Sequence, residues 1–402
     1  MLALALGVAG CVRSTVPVTG VPQQASPAVP APAVPGPVET PPPAASVPQA
    51  EPTVVVGGRT NISLLLPLTG ANASLGRAML DAATLALFEL GDNTIALTPR
   101  DTQSTADGAG HAAAVAVAEG ARLIVGPLTG SEVEAVKPVA QAAGINVLAF
   151  SNLTRVAGDG VFLMGFQPRQ EMTRIATYAR STGIEHFAAL IPTGDYGDLA
   201  IDAFRGAIEG AGGTLDQVET YDPGAGAPAS LIQRLAAGGK ASFQALLVPE
   251  GGSQLKAIAP LLPFYNLDTT KIRVLGSGQW DDPGLALGRE PALVGAWYAA
   301  PPADARAGFE KSYADAYGRK PPRLASLAYD AMGVAVVLAR IPGTPDFSAT
   351  ALTNPSGFAG ADGIFRLLPD GTAERGLAVL EITRTGTNVV SPAPDSFAGP
   401  VQ

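Results

Sequence analysis

Side chains with reactive chemistry are scarce in this 402-residue chain: one cysteine, Cys11, and two histidines, His111 and His186. A lone thiol forms no internal disulfide, and no Cys, His or acidic cluster has metal-ligand spacing. Nucleophile elbows, Gly-rich phosphate loops and metal motifs are also missing from the sequence. The expectation is therefore a protein without catalytic residue, metal or cofactor. What remains lies at the ends of apolar runs, in PLTGANASLG (67–76), GPLTGSE (126–132) and SNLTRVAGDG (151–160). Ser131 with Glu134 three residues later has the spacing of a capping box. The same helix start, with the amides of Thr129, Gly130 and Ser131, also suits a ligand carboxylate; the two roles are compatible. Asn152 and Thr154 are ordinary turn formers, made candidates only by their place at a strand end. Arg59, Arg77, Asp101, Asp195 and Asp330 are isolated charges, whose usual role is that of a solvated cap.

The elements that must position these loops alternate. Strand-like runs are NISLLLP (61–67), TIALTPRD (94–101), ARLIVGP (121–127), INVLAF (145–150), VFLMGF (161–166), HFAALIP (186–192), FQALLVP (243–249), IRVLGS (272–277) and LVGAWYA (293–299). Amphipathic stretches such as GRAMLDAATLALFEL (76–90) and SEVEAVKPVAQAAG (131–144) lie between them. In the first, Met79, Leu80, Ala83, Leu87 and Leu90 form one apolar stripe. This alternation predicts βαβ units and parallel sheets, with ligands beyond the carboxyl ends of the strands. The net charge of −9 argues against nucleic acid and anionic lipid heads as partners. No later run is long enough to cross a bilayer.

Residues 12–57 contain 12 of the 36 prolines, no aromatic residue and only the charges Arg13, Glu39 and Glu51. Such a segment reads as a tether, extending to ~140 Å in a polyproline conformation. Cys11, after Val8-Ala9-Gly10, resembles a bacterial lipoprotein lipobox, which implies cleavage before Cys11, acylation of its thiol and export. Val12 in the next place resembles the class sorted to the outer membrane. Leu2–Gly10 is short for a signal and lacks a basic n-region, so either translation starts upstream or the segment is no signal. About 345 residues remain beyond the tether, enough for two lobes.

In order and spacing, ISLLLPLTGANASLGRAMLDAATLALFE, RLIVGPLTGSEVEAVKPVAQAAGINVLAFSN, GDYGDLAIDAF, ASLAYDAMGVA and GIFRLLPDG resemble landmarks of the type I periplasmic binding proteins, the leucine/isoleucine/valine-binding kind, over roughly 60–385. The resemblance implies two Rossmann-like lobes joined by three crossings, with ligand held between them. The N-lobe is expected at about 58–167 and 300–343, the C-lobe at about 168–299 and 344–386, and a flexible tail over 387–402. Residue by residue, Gly130 stands where amino-acid binders have a serine, with Ser131 adjacent, and Leu75 stands where some have an aromatic wall. Thr154 and Tyr196 match the family's threonine and tyrosine. The acid that would hold a ligand ammonium falls near Gly278, Gln279 and Trp280, with Asp281 and Asp282 just beyond.

The opening, GPL after the third strand and GIFRLLPDGTAERGLAVLEI are similar to the penicillin-binding protein activators, outer-membrane lipoproteins that contact a peptidoglycan synthase. Where the best-known activators carry a helical-repeat domain, this chain has its Pro-rich segment. The resemblances imply a peptidoglycan synthase as partner or, in the alternative, an ABC permease. The cleft ligand would be an amino acid, an amide or a muropeptide.

Overall fold

The computed structural model describes residues 58–91, 93–341 and 344–397; the readings placed on Cys11 and on 12–57 lie outside them. The first lobe begins with β1 (Thr60–Leu66), α1 (Ala73–Glu89), β2 (Ile95–Asp101), α2 (Ala106–Ala118), β3 (Leu123–Val125), α3 (Gly130–Ala142), β4 (Val147–Ala149) and β5 (Val161–Leu163). Its five strands are parallel in the order β2-β1-β3-β4-β5. A parallel sheet is buried on both faces, so its central strands must be apolar throughout. β1 shows how this works: Ile62, Leu64 and Leu66 join one hydrophobic cluster with α1, while Leu65 points into the other with α2 and α3.

The chain then crosses to a second lobe: α4 (Pro168–Ser181), β6 (His186–Pro192), α5 (Asp195–Gly210), β7 (Thr214–Tyr221), α6 (Ala229–Ala236), β8 (Ala245–Leu247), α7 (Gly252–Ile258), α8 (Leu261–Phe264), β9 (Arg273–Gly276) and β10 (Trp297–Ala300). Its parallel strands repeat the order of the first sheet, as β7-β6-β8-β9-β10. A second crossing returns the chain to the first lobe as α9 (Ala303–Tyr317), α10 (Ala325–Ala339) and α11 (Ala349–Leu352). Phe309, Tyr313, Leu327 and Met332 of α9 and α10 fill the first lobe's core beside α1.

Two expected boundaries move. β11 (Phe358–Gly360), β12 (Gly363–Leu367) and β13 (Ala373–Arg375) form a small antiparallel sheet. Phe347, Leu352, Ala361, Phe365, Leu367 and Ala373 are buried in the first lobe's core, so 344–375 belongs there and not to the second lobe. The third crossing therefore falls near Gly376 rather than after 343. Beyond it, β14 (Ala378–Thr383) lies antiparallel to β10, and β15 (Gly386–Ser391) antiparallel to β14. Residues 386–391 are an edge strand, not the start of a flexible tail, because the ladder with β14 takes up the backbone groups on their inner side. No helix among the described residues is long and apolar enough to cross a membrane.

Candidate ligand cleft

Strand order reverses between β1 and β3 in one lobe and between β6 and β8 in the other, and loops at such points are where open α/β sheets bind ligands. On the first lobe's side, Asp101 accepts hydrogen bonds from the amides of Leu68 (2.9 Å), Thr69 (3.1 Å) and Gln103 (2.8 Å) and from the Thr69 hydroxyl (2.6 Å). Burial alone would raise its carboxyl, but these four donors hold it below the ordinary aspartate value. Asp101 is a cap on the loop after β1, as expected of it.

The start of α3 differs from expectation by two residues. The capping box is Thr129 with Glu132, not Ser131 with Glu134, because Gly130 is the first helical residue. Glu132 is buried, accepts from the Thr129 amide (2.8 Å) and from the Thr102 hydroxyl (2.6 Å), and so removes the Thr129 amide from any ligand. A Cβ at Gly130 would overlap Cδ2 of Leu153. Leucine thus fills the space where a serine side chain would sit, and glycine is what lets it approach. Ser131 is exposed, its hydroxyl 3.3 Å from that of Thr129. Asn152 is exposed, Thr154 is half-buried in a 3-10 turn, and Leu75 packs partly buried against the first lobe's core.

On the second lobe's side, Tyr196 lies in the first turn of α5. Its hydroxyl is buried without a hydrogen-bond partner, beside Glu171, Ser277, Gln279 and Glu250. Glu171, on α4, accepts the Gly278 amide at 2.8 Å, and burial pushes its carboxyl up to about 7. A Cβ at Gly278 would overlap this carboxylate, so glycine is needed there too. Gln279 is exposed above Gly251. Glu250 accepts the Tyr221 hydroxyl (2.6 Å) through its side chain and the Trp280 indole N–H (2.7 Å) through its backbone carbonyl.

Two candidates belong elsewhere. Trp280 is 2% exposed, with its ring against Gly276 and Tyr298, and is part of the second lobe's core. Asp281 is buried in ion pairs with Arg306 (2.7 Å) and Arg323 (3.0 Å). Its charge is already neutralised, so it offers nothing to a ligand ammonium. These pairs extend into a network at the hinge: Arg323 also meets Asp362 (3.0 Å), which accepts the Ser326 hydroxyl (2.6 Å), and Arg375 pairs with Asp330 (3.4 Å). Phe166 lies under both Arg323 (4.2 Å) and Arg375 (5.0 Å). Asp330, expected as a solvated cap, is buried, and burial pushes its carboxyl up against the pull of Arg375.

The structure therefore assembles two half-sites, Thr129–Ser131 with Leu153 on one lobe, and Tyr196 with Glu171, Ser277 and Gln279 on the other. Arg155 connects them: it pairs with Glu134 of its own lobe (3.2 Å) and with Asp195 of the other (3.0 Å). Sequence reasoning missed Arg155, Glu171, Glu250 and Ser277. Only Glu171 had left a signal, as an acid on the stripe that buries Ile175 and Ala179 at i+4 and i+8. Among the described residues, no three or more His, Cys, Asp or Glu side chains are grouped to hold a metal ion.

Against known proteins, the chain is 26% identical over 163 residues to an uncharacterized protein of Rickettsia prowazekii, covering 40% of this chain and 43% of that one. It is 26% identical over 149 residues to the penicillin-binding protein activator LpoA of Vibrio cholerae, covering 36% of this chain and 25% of that one. The matches thus span less than half of either relative. Among solved structures, an ABC transporter substrate-binding protein from Sphaerobacter thermophilus superposes with a TM-score of 0.72 at 20% identity, covering 84% of this chain and 98% of that one. The two-lobed architecture is thus that of the type I periplasmic binding proteins. The family model described as periplasmic binding protein matches residues 60–387, and the chain belongs to that family.

Proposed function

We infer that the protein acts by binding rather than by catalysis, as an activator of peptidoglycan synthesis that works on a penicillin-binding protein. In this reading it is exported and held at the outer membrane through acylated Cys11, with residues 12–57 letting the two-lobed domain reach across the periplasm. The observation that carries the reading is the fate of Asp281. The acid nearest the expected ammonium position is spent on Arg306 and Arg323, and an unpaired buried ammonium is costly. Leu153 in the place of a serine side chain, and the Thr129 amide committed to Glu132, likewise weaken a grip on an amino-acid carboxylate. The partial match to LpoA supports the same direction.

The test is a thermal-shift titration of the full chain with the twenty amino acids, beside a synthase assay with and without the chain. No amino acid should shift the midpoint, and the synthase should accelerate. An amino acid that at a hundred times its Kd adds about 2.7 kcal/mol of stability would overturn the proposal.

A solute carrier for an ABC permease is the second reading. It is favoured by the polar half-site of Tyr196, Glu171, Ser277 and Gln279, and by the near-complete superposition on a substrate-binding protein. That half-site suits an amide better than an ammonium, so small amides belong in the same screen.

A further inference from the structure

On the flank of the second lobe, next to the hinge, is a cavity of ≈ 580 Å³. Its volume is in the range of about 300–1,000 Å³ typical of small-molecule sites. None of Ser131, Arg155, Tyr196 or Gln279 lines it, so it is separate from the cleft. Tyr298 of β10 is a buried wall residue, Leu287 and Ile382 add apolar surface, and Arg289 and Arg384 stand exposed around it.

The two arginines come from segments that touch. A Cβ at Gly288 would overlap the carbonyl oxygen of Thr383, so only glycine lets the loop before β10 lie against the β14–β15 turn. Ala286, in the same wall, holds φ at 49°, a left-handed conformation that a non-glycine residue keeps only where its surroundings fix the loop. Neither Arg289 nor Arg384 makes an ion pair or a side-chain hydrogen bond among the described residues. The third guanidinium on the lining is committed: Arg306 holds Asp281 and Glu310 (2.8 Å). Two uncommitted cations at one cavity are out of character for a chain of net charge −9.

We propose that this cavity binds a ligand of about dipeptide size that ends in a free carboxylate, with Arg289 and Arg384 holding the carboxylate and Tyr298, Leu287 and Ile382 packing against the body. Guanidinium forks match a carboxylate in geometry and charge. A monoanion fits better than a phosphate dianion, because Asp282 also faces the cavity and its field penalises each further negative charge. Asp282 accepts the Gly284 amide (2.8 Å), which engages one of its oxygens in its own turn, and it makes no ion pair with either arginine. The inference does not depend on the function assigned to the cleft.

The experiment is calorimetric titration of the full chain with N-acetyl-alanyl-alanine and, separately, with its C-terminal amide. The acid is expected to bind and the amide to bind at least tenfold more weakly. Arg289→Ala/Arg384→Ala should lose at least tenfold affinity for the acid with an unchanged melting midpoint, whereas Tyr196→Phe should bind it like the parent. Equal affinity for acid and amide would overturn the proposal, as would undiminished binding by the double variant or no binding of the acid at millimolar concentration. Loss of binding in Tyr196→Phe would transfer the ligand to the cleft and equally end the proposal.

Discussion

Among the described residues, ion pairs join the lobes at the cleft mouth and at the hinge, and the two places could hardly differ more. At the cleft mouth, Arg155 and Asp195 meet at 3.0 Å with side chains 57% and 75% exposed. At the hinge, Asp281 meets Arg306 at 2.7 Å with both side chains nearly buried, and Asp362 behind them is 0% exposed. Water and salt screen the first pair, so forming it releases little free energy and breaking it costs little. The second set was desolvated when the protein folded, and its charges are tolerable only together. The lobes are thus fastened firmly at one end and lightly at the other. A hinge needs that asymmetry: a mouth as tightly bound as the hinge would not open, and a hinge as loose as the mouth would not keep the half-sites in register.

The largest expected effect comes from breaking the hinge. Asp362→Ala should destabilise the protein by about 3–5 kcal/mol in urea unfolding, since Arg323 loses one of its two carboxylates and the Ser326 hydroxyl the shorter of its two hydrogen bonds. A loss below about 1 kcal/mol would mean that water reaches the network, and the contrast with the mouth would vanish.

A carboxylate that burial governs despite the pull of a nearby cation, Arg323, sharpens the contrast from another side. Burial pushes Glu171 up to about 7, above the ordinary glutamate value. The folded state therefore retains a proton that the unfolded chain has already released. Stability from this group is fully present below about pH 4.5 and is lost as pH rises through about 7, by up to about 3 kcal/mol. Glu171→Gln, measured by unfolding between pH 4.5 and 8, should flatten that part of the profile and leave the variant relatively more stable at pH 8. A profile parallel to the parent's would show that Glu171 ionises freely in the folded protein.

The smallest effect belongs to the mouth. Asp195→Ala should change stability by about 0–1 kcal/mol, and 1 M salt should erase most of what difference there is. A loss comparable to that of Asp362→Ala would place the mouth and the hinge in one class.

The same contrast explains what could be read from the chain alone. Each of the nine apolar runs contains a strand, and for the central strands the reason is that a sheet buried on both faces leaves an uninterrupted apolar trace. β7 escaped notice: TLDQVETY lies at the sheet edge, only one of its residues is fully buried, and it carries two acids and a glutamine. β15, GTNVVS, is mostly exposed and equally inconspicuous. Of the cleft, the start of α3 was found because it sits at a strand end, which periodicity locates, whereas Tyr196 was found only through the resemblance to the binding proteins. The hinge network could not be found in that way. Its members, Asp281, Arg306, Arg323, Asp330, Asp362 and Arg375, are scattered over almost a hundred residues and look individually like surface charges. Only the third dimension shows that they neutralise one another, and Asp330 was misread for this reason.

The late third crossing has a consequence for how the molecule is made. The first lobe's core is incomplete without Phe365, Leu367 and Ala373, and the second lobe's without Val379, Leu380 and Ile382. Domains commonly fold in order as they leave the ribosome, the N-terminal one first. Here the first 163 residues contain every strand of one sheet and still lack the helices and hairpin that cover it. Both lobes reach completion within some twenty residues of each other. Until then the nascent chain has no finished unit to fold around, and most of its contacts must be made between segments far apart in sequence, the slow kind.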